Sequence, residues 1–290
     1  MNLIQFQNTK EHIDSFIKLH REVFNSDLNE TFVKNKYFPN NEKEAYGYFA
    51  FVNEVCLGFY GVILFKYSFD NIEYDVAQSC DTMVSKLAFS YRISGIFDTL
   101  AKATYKMLFI NKINIVFGFP SISSQKGFFQ RLNWERIDNS YLYFIPNPFY
   151  FIDRRKSIKR KLINTNERIY SNYSTLNSGI KKDYRNLIEL KEIKIFNKKI
   201  LVRDGVYLDI GEVEKTTSVK KILILLGLMY YMVRYKFKGI RTYCTSNSSS
   251  SLFFNRYFFK KQSLPLGVLF INGEKIGISF CFNFIDYDTF

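Results

Sequence analysis

The sequence predicts an α/β chain of the α+β kind, made of two similar units in which a mixed, mostly antiparallel sheet is flanked by helices. Three observations carry this. Strand-like runs alternate with amphipathic helical segments, an apolar helix pattern stands between strands in each half, and residues 114–134 recur in altered form at 239–259. With 290 residues, 47% of them apolar and 18% aromatic, the chain is long enough for two cores and too apolar for disorder.

Asn8, followed by Glu11, marks a helix start, and Ile13, Phe16, Ile17 and His20 recur on one face. Ala45–Val52 and Cys56–Tyr67 read as strands joined by a turn at Asn53-Glu54-Val55, and Tyr74–Phe89 as a third. The stretch SYRISGIFDTLAKATYKML, Ser90–Leu108, then opens a helix. Its Ile96, Phe97, Leu100, Ala101 and Leu108 share a face, which puts Gly95 near the first turn. Ile113–Pro120 fits a central strand, Ser123–Leu132 a short helix and Arg136–Ile145 a further strand. Pro146-Asn147-Pro148 and the basic run Arg154–Lys161 mark a linker over about residues 148–180, so the domains are set at 1–147 and 148–290.

A gapless placement of Asn114–Trp134 over Gly239–Phe259 aligns Ile115 with Ile240, Ser121 with Ser246 and Ser123-Ser124 with Ser248-Ser249. It also aligns Phe128-Phe129 with Phe253-Phe254 and Arg131 with Arg256. Extended backwards, it sets Leu100, Tyr105 and Met107 on Leu225, Tyr230 and Met232, Arg92 on Thr217 and Gly95 on Lys220. The second copy therefore lacks the arginine and the glycine, and reads as degenerate.

Those two residues matter chemically. The first N–H groups of a helix have no intrahelical partner and carry partial positive charge, glycine permits close approach, and arginine pairs with phosphate in a fork geometry. Arg92 to Gly95 thus suits a pyrophosphate, while an ordinary glycine at a helix start is the competing reading. The net charge of +14 favours phosphorylated ligands, nucleic acid or anionic membranes without choosing among them. Cys56, Cys80, Cys244 and Cys281 are widely spaced, with only His12 and His20 as further ligands, so no metal site is expected. The N-terminus lacks the order of a secretory signal, and Ile222–Val233 is shorter than the ~20 residues of a bilayer span. A cytoplasmic location and no transmembrane segment are expected.

Through YRISGIF (Tyr91–Phe97) and FGFPSISSQKGFFQRLNW (Phe117–Trp134), residues 1–145 resemble the GNAT superfamily of acyl-coenzyme A dependent N-acyltransferases. The first stretch is similar to the family's Arg/Gln-x-x-Gly-x-Gly/Ala pyrophosphate loop, the second to its later strand-and-helix motif. The resemblance implies acetyl-coenzyme A as acyl donor, held by Arg92, Ile93, Ser94, Gly95, Ile96 and Phe97, with Ser121 and Ser124 from the second motif. It also implies a backbone N–H near Leu87 on the thioester oxygen, where a strand ending at Val84 or Leu87 splays. This sequence departs from the pattern at Phe97, Ser121 and Asn133-Trp134, and at Phe129, where the family often has a tyrosine that protonates the leaving thiolate. Asp81 is the candidate base for the amine, against the reading of a salt-bridged group.

Similarity to tandem GNAT proteins and to Fem-type aminoacyl transferases implies a second half that shapes the acceptor cleft. Asp286 and Asp288 would then supply carboxylates, or merely solubilise the terminus. The expected function is acetyl-coenzyme A dependent N-acetylation of a small amine, with a nucleotide-linked amino sugar of surface-polysaccharide biosynthesis as preferred acceptor. A transferase using aminoacyl-tRNA and a non-catalytic binding protein are the alternatives, and the oligomeric state is left open.

Overall fold

The computed structural model describes residues 1–38, 45–69, 72–149, 173–174, 180–182, 191–195, 198–204, 207–213, 218–246, 249–255 and 258–275. In chain order the strands are β1 (Asn2–Gln5), β2 (Ala45–Val52), β3 (Val55–Phe69), β4 (Ile72–Val84), β5 (Ile115–Gly118), β6 (Glu135–Pro146), β7 (Tyr173–Ser174), β8 (Ile180–Lys182), β9 (Lys191–Ile195), β10 (Lys198–Asp204), β11 (Leu208–Val213), β12 (Gly239–Thr245) and β13 (Phe259–Phe270). The helices are α1 (Lys10–Phe24), α2 (Glu30–Tyr37), α3 (Leu87–Ser90), α4 (Ile96–Ile110), a π-helical turn (Gly127–Arg131), α5 (Ser218–Arg234) and α6 (Ser249–Phe254).

The chain forms two compact units. The first holds residues 1–137 and a returning segment that begins at Pro265; the second holds Asp138–Leu264. The division thus falls within β6 rather than at residue 147. From Ser140 onward β6 is laddered to β12, and strand ladders, not chain order, decide which unit a residue joins.

In the first unit β1 to β4 are antiparallel neighbours. β5 joins β4 in parallel over Val76↔Ile115 to Gln78↔Phe117, and the end of β13 pairs antiparallel with β5, Gly267 facing Gly118. Asn53 (φ 47°) and Glu54 (φ 66°) are both left-handed, as a two-residue hairpin turn requires. Thr9, one residue after the expected cap, accepts the His12 N–H at 3.3 Å and starts α1. Asn29 accepts the Phe32 N–H at 2.7 Å and starts α2, an element the periodicity did not announce. One face of the sheet packs Phe49, Phe59 and Met83 with Phe16 and Leu19 of α1 and Val33 and Tyr37 of α2. The other packs Tyr60, Val62 and Val116 with Leu100, Ala101 and Leu108 of α4, and with Phe128 and Trp134.

In the second unit β9, β10 and β11 are antiparallel, α5 follows, and β12 then pairs in parallel with β11. β7 and β8 pair antiparallel with each other. Three strands, a helix and a parallel strand thus recur in the order seen in the first unit, but the helix register differs from expectation. α5 buries Ile224, Leu228 and Met232, whereas α4 buries Leu100, Thr104 and Leu108. The faces match as 100/224, 104/228 and 108/232, one residue off the expected alignment. Tyr105 is 7% exposed and Tyr230 64%. A chance likeness of Leu, Tyr and Met in a biased composition set the expected register; the buried stripe, with its helical period, sets the real one.

The basic run 154–161, Thr217, Ser248, Arg256, Asp286 and Asp288 lie outside the described residues. No helix among the described residues is long and apolar enough to cross a membrane.

Candidate active site

The site is built where β4 outruns its partner. Pairing with β5 stops at Gln78↔Phe117, yet β4 continues along β3 to Val84, so its far edge from Ser79 onward has lost the β5 ladder. Phe59 faces Met83 while Gly61 faces Cys80, which leaves Asp81 and Thr82 opposite Tyr60 as a bulge, with Asp81 left-handed at φ 44°. Bulges of this kind bend a strand and re-aim its groups.

The strand ends at Val84, which decides between the two expected ends. Ser85 is buried; its N–H donates to Leu57 O at 2.9 Å and its hydroxyl to Glu22 Oε1 at 2.5 Å, and Glu22 also takes the Lys86 N–H at 3.2 Å. Leu87 lies in the helical turn α3, and its N–H donates to Ser85 Oγ at 3.0 Å. That donor is already used. The expected role of Leu87 on a thioester oxygen therefore gives way to the open edge of β4 before it.

The loop after α3 has the geometry of an anion site. Arg92 (φ 53°) and Gly95 (φ 74°) are both left-handed, and the first bond of α4 runs from Thr99 N–H to Gly95 O at 2.9 Å. The N–H groups of Ile96, Phe97 and Asp98 therefore precede any intrahelical bond, and a β-carbon built on Gly95 meets nothing within 4 Å. Tyr91, Arg92, Ser94 and Gly95 are exposed and Ile93 is half-buried. N–H groups at the start of a helix, beside an exposed loop that carries an arginine, are of the kind that takes a pyrophosphate. The carboxylate of Asp98 is matched by Arg131 Nη1 at 3.2 Å, and the Arg131 guanidinium lies 5.4 Å from the centre of the Phe97 ring. Phe97 departs from the family pattern without blocking the loop, because its ring turns inward. It meets Phe128 edge-on at 5.1 Å, and lies where a β-carbon on Gly127 would come within 2.6 Å.

Ser121 Oγ lies 3.0 Å from both Ser123 Oγ and Ser124 Oγ, and the Ser124 N–H donates to Ser121 O at 2.9 Å. These serines form a tight turn that leads into the π-helical turn, one strand away from the Arg92 loop.

Asp81 is the ion-paired group, not a free base. Lys36 Nζ lies 2.7 Å and Tyr37 Oη 2.6 Å from its Oδ2, with the Lys36 side chain 4% exposed. Burial pushes the carboxyl up, but the Lys36 charge and the hydrogen bonds from Lys36 and Tyr37 outweigh it and hold Asp81 below the usual range. A carboxylate so held is a poor proton acceptor near neutrality. The cluster was not foreseen because it depends on α2, whose only signal is the Asn29 cap.

A second set escaped the sequence altogether. Trp134 Nε1–H donates to Tyr105 Oη at 3.0 Å, Tyr105 Oη lies 3.0 Å from Tyr60 Oη, and Tyr60 is hydrogen-bonded to Ser79. These residues come from the approach to β6, from α4, from β3 and from β4, and no local spacing links them. Among the described residues no group of His, Cys, Asp or Glu is placed to hold a metal.

Residues 7–137 match the family of GNAT acetyltransferase domains. The fold is shared with a conserved protein of Enterococcus faecalis V583 described as a probable N-acyltransferase, at 10% identity over 93% of this chain and 73% of that one, TM-score 0.62. It is shared with a GCN5-related N-acetyltransferase from Kribbella flavida, at 11% identity over 92% and 70%, TM-score 0.61. A putative acetyltransferase from Pyrococcus horikoshii follows at 14% identity over 96% and 91%, TM-score 0.54. No curated protein matches the chain by sequence. The family match lies within the first unit and covers less than half of the chain, and the solved structures share its fold.

Proposed function

We propose that the chain is an acetyl-coenzyme A dependent N-acetyltransferase acting on a small amine. One observation carries the reading: the Arg92–Phe97 loop, leading into the first N–H groups of α4, comes one short helical turn after the strand that outruns its β5 partner. The pyrophosphate fits the loop, and the pantetheine arm fits the free edge of β4 from Ser79 to Val84, where main-chain groups can hold it. When bound, acetyl-coenzyme A supplies the activated acyl group. The chain holds it with Arg92, with the N–H groups of the Ser94–Phe97 stretch and, at the mouth of the π-helical turn, with Ser121 and Ser124.

The net charge of +14 supports a phosphorylated acceptor, and a nucleotide-linked amino sugar of surface-polysaccharide biosynthesis is the preferred class. The recurring element order supports a second, degenerate GNAT-like unit that shapes the acceptor side. The buried cysteines Cys80 and Cys244, neither in a disulfide, support a cytoplasmic location. A second reading, binding without chemistry, draws on the paired state of Asp81 and the missing hydroxyl at Phe129. Multiple-turnover acetyl transfer to any amine excludes it.

Calorimetric titration with acetyl-coenzyme A tests the proposal. One molecule binds per chain, Gly95→Glu weakens binding by about a thousandfold by placing a carboxylate at the pyrophosphate, and Lys220→Glu leaves it nearly unchanged. Two sites in the wild type, or equal losses in the two variants, overturn the assignment of one functional loop. Full binding by Gly95→Glu overturns the coenzyme site itself.

A further inference from the structure

The second unit presents a face that its core does not account for. α5 buries Ile224, Leu228 and Met232, while on its other side Ile222, Leu226, Met229, Tyr230 and Val233 are exposed, Leu226 at 56% and Tyr230 at 64%. Spacings of three and four residues put these five on one stripe, about 17 Å long at the rise of an α-helix. No other helix among the described residues exposes more than two large apolar side chains. Single exposed apolar residues are ordinary, but a contiguous stripe marks an interaction surface.

The first unit shows that the architecture does not require it. In the register 100/224, Ile222, Leu226 and Tyr230 correspond to Asp98, Lys102 and Lys106 of α4, and both lysines are exposed. α4 thus turns charge outward, as the outer face of a helix on a sheet ordinarily does, and α5 has apolar surface in its place.

Charge indicates what the stripe can meet. Between residues 218 and 240 the chain has no Asp or Glu, and its cations stand at the two ends of the stripe, Lys220 and Lys221 before it and Arg234, Lys236 and Lys238 after it. A second copy is a poor match, because two-fold packing of α5 on itself sets cations against cations whichever way the helices run. The helix is also too short to cross a bilayer. An apolar stripe that includes a tyrosine and ends in cations suits a helix lying in the plane of a membrane surface. There the apolar side chains enter the acyl boundary and the cations meet lipid phosphates.

We propose that α5 docks the chain on anionic phospholipid, with Ile222, Leu226, Met229, Tyr230 and Val233 in the lipid and the exposed Arg234 among the headgroups. The docking face belongs to the second unit and stands independently of the coenzyme loop in the first.

Co-sedimentation of the full chain with phosphatidylglycerol vesicles tests the docking face, with phosphatidylcholine vesicles as the neutral control. The wild type partitions onto phosphatidylglycerol about tenfold or more above phosphatidylcholine, and added salt weakens it. Leu226→Glu, at an exposed position, cuts partitioning by about tenfold or more, and Arg234→Gln by about fivefold. Ile72→Glu, which puts the same charge on an exposed residue of the first unit, leaves it within about twofold. Leu226→Trp keeps the apolar face and the binding, and its emission shifts to the blue on phosphatidylglycerol vesicles while that of the buried Trp134 stays in place. Equal partitioning of wild type and Leu226→Glu overturns the proposal, since only diffuse attraction of a basic protein is then left. A wild type that ignores phosphatidylglycerol vesicles also overturns it, as does a lipid-free dimer that Leu226→Glu breaks, which gives the face to a second copy.

Discussion

Each unit sets a parallel strand pair behind the same run of elements, and both ladders are short, the second ending at Asp209↔Arg241, but in the second an ion pair bridges the two strands. In the first unit β4 and β5 separate after Gln78 and Phe117. In the second, Asp209 of β11 faces Arg241 of β12, and the guanidinium donates to the buried carboxylate, Nη2 to Oδ2 at 3.2 Å. Next to it the Thr242 hydroxyl donates to Ile210 O at 2.6 Å. Asp81 draws its cation from α2, whereas Asp209 draws its cation from the neighbouring strand and ties the last pair of the ladder. The helices differ in the same sense. In the register 100/224, Ile96 corresponds to Lys220, but α5 already begins at Ser218, so helical backbone occupies the level at which Gly95 opens the first unit. The same element order thus brings a buried acid to its cation in two ways, from a helix in one unit and from the neighbouring strand in the other.

Breaking the two ion pairs tests this comparison. Lys36→Met leaves Asp81 buried without its cation and costs about 3–5 kcal/mol in chemical denaturation at neutral pH. Because the folded Asp81 carboxyl lies below its ordinary range, its pair stabilises the wild type above about pH 4, and that contribution is lost as pH falls through the lower folded value. Lys36→Met removes the largest influences that lower the carboxyl while burial, which raises it, remains beside the Tyr37 hydrogen bond, so the gap between variant and wild type narrows on acidification. A gap that does not change with pH shows that the pair is not what holds the bulge.

Asp209→Asn has a smaller effect. It weakens a charge-assisted bond to a partly exposed arginine, for about 1.5–3 kcal/mol, while acetyl-coenzyme A affinity stays within about twofold of wild type. A tenfold loss of affinity would remove the functional asymmetry of the two forks. The smallest effect is expected at Tyr230→Ser, within about 0.5 kcal/mol for an exposed position, whereas Tyr105→Phe strands the Trp134 N–H and costs about 1–3 kcal/mol. Equal losses at the two tyrosines would restore the alignment of Tyr105 with Tyr230.

Much of the first unit was legible because its signals are local. Asn53-Glu54 between two apolar runs is a hairpin turn, and Gly95 ahead of Ile96, Leu100 and Leu108 is a helix start with an exposed anion loop. The α2 segment was not legible, since eight residues with one cap carry little periodicity, and with it went Lys36 and Tyr37. The role expected of Leu87 failed because three residues after Val84 the chain turns into α3, for which Ser85 and its partner Glu22 are responsible, and Glu22 is 63 positions away in the chain. The register of the second helix failed because residue identity was weighed above the buried stripe.

What the linear chain settles is the order of strands and helices in the first unit and the place of the loop with both arginine and glycine ahead of a helix. Those properties depend on spacing within a few residues: the period of a helix, the left-handed freedom of glycine, and the dipole of the helix that follows. Packing alone decided that Asp81 is neutralised by Lys36, that the β4–β5 ladder ends at Gln78, that Arg241 pairs with Asp209 across β11 and β12, and that Trp134, Tyr105 and Tyr60 are linked. Each of these joins residues far apart in sequence, and the charge, direction or opening they create exists only when distant strands and helices are brought within hydrogen-bonding distance.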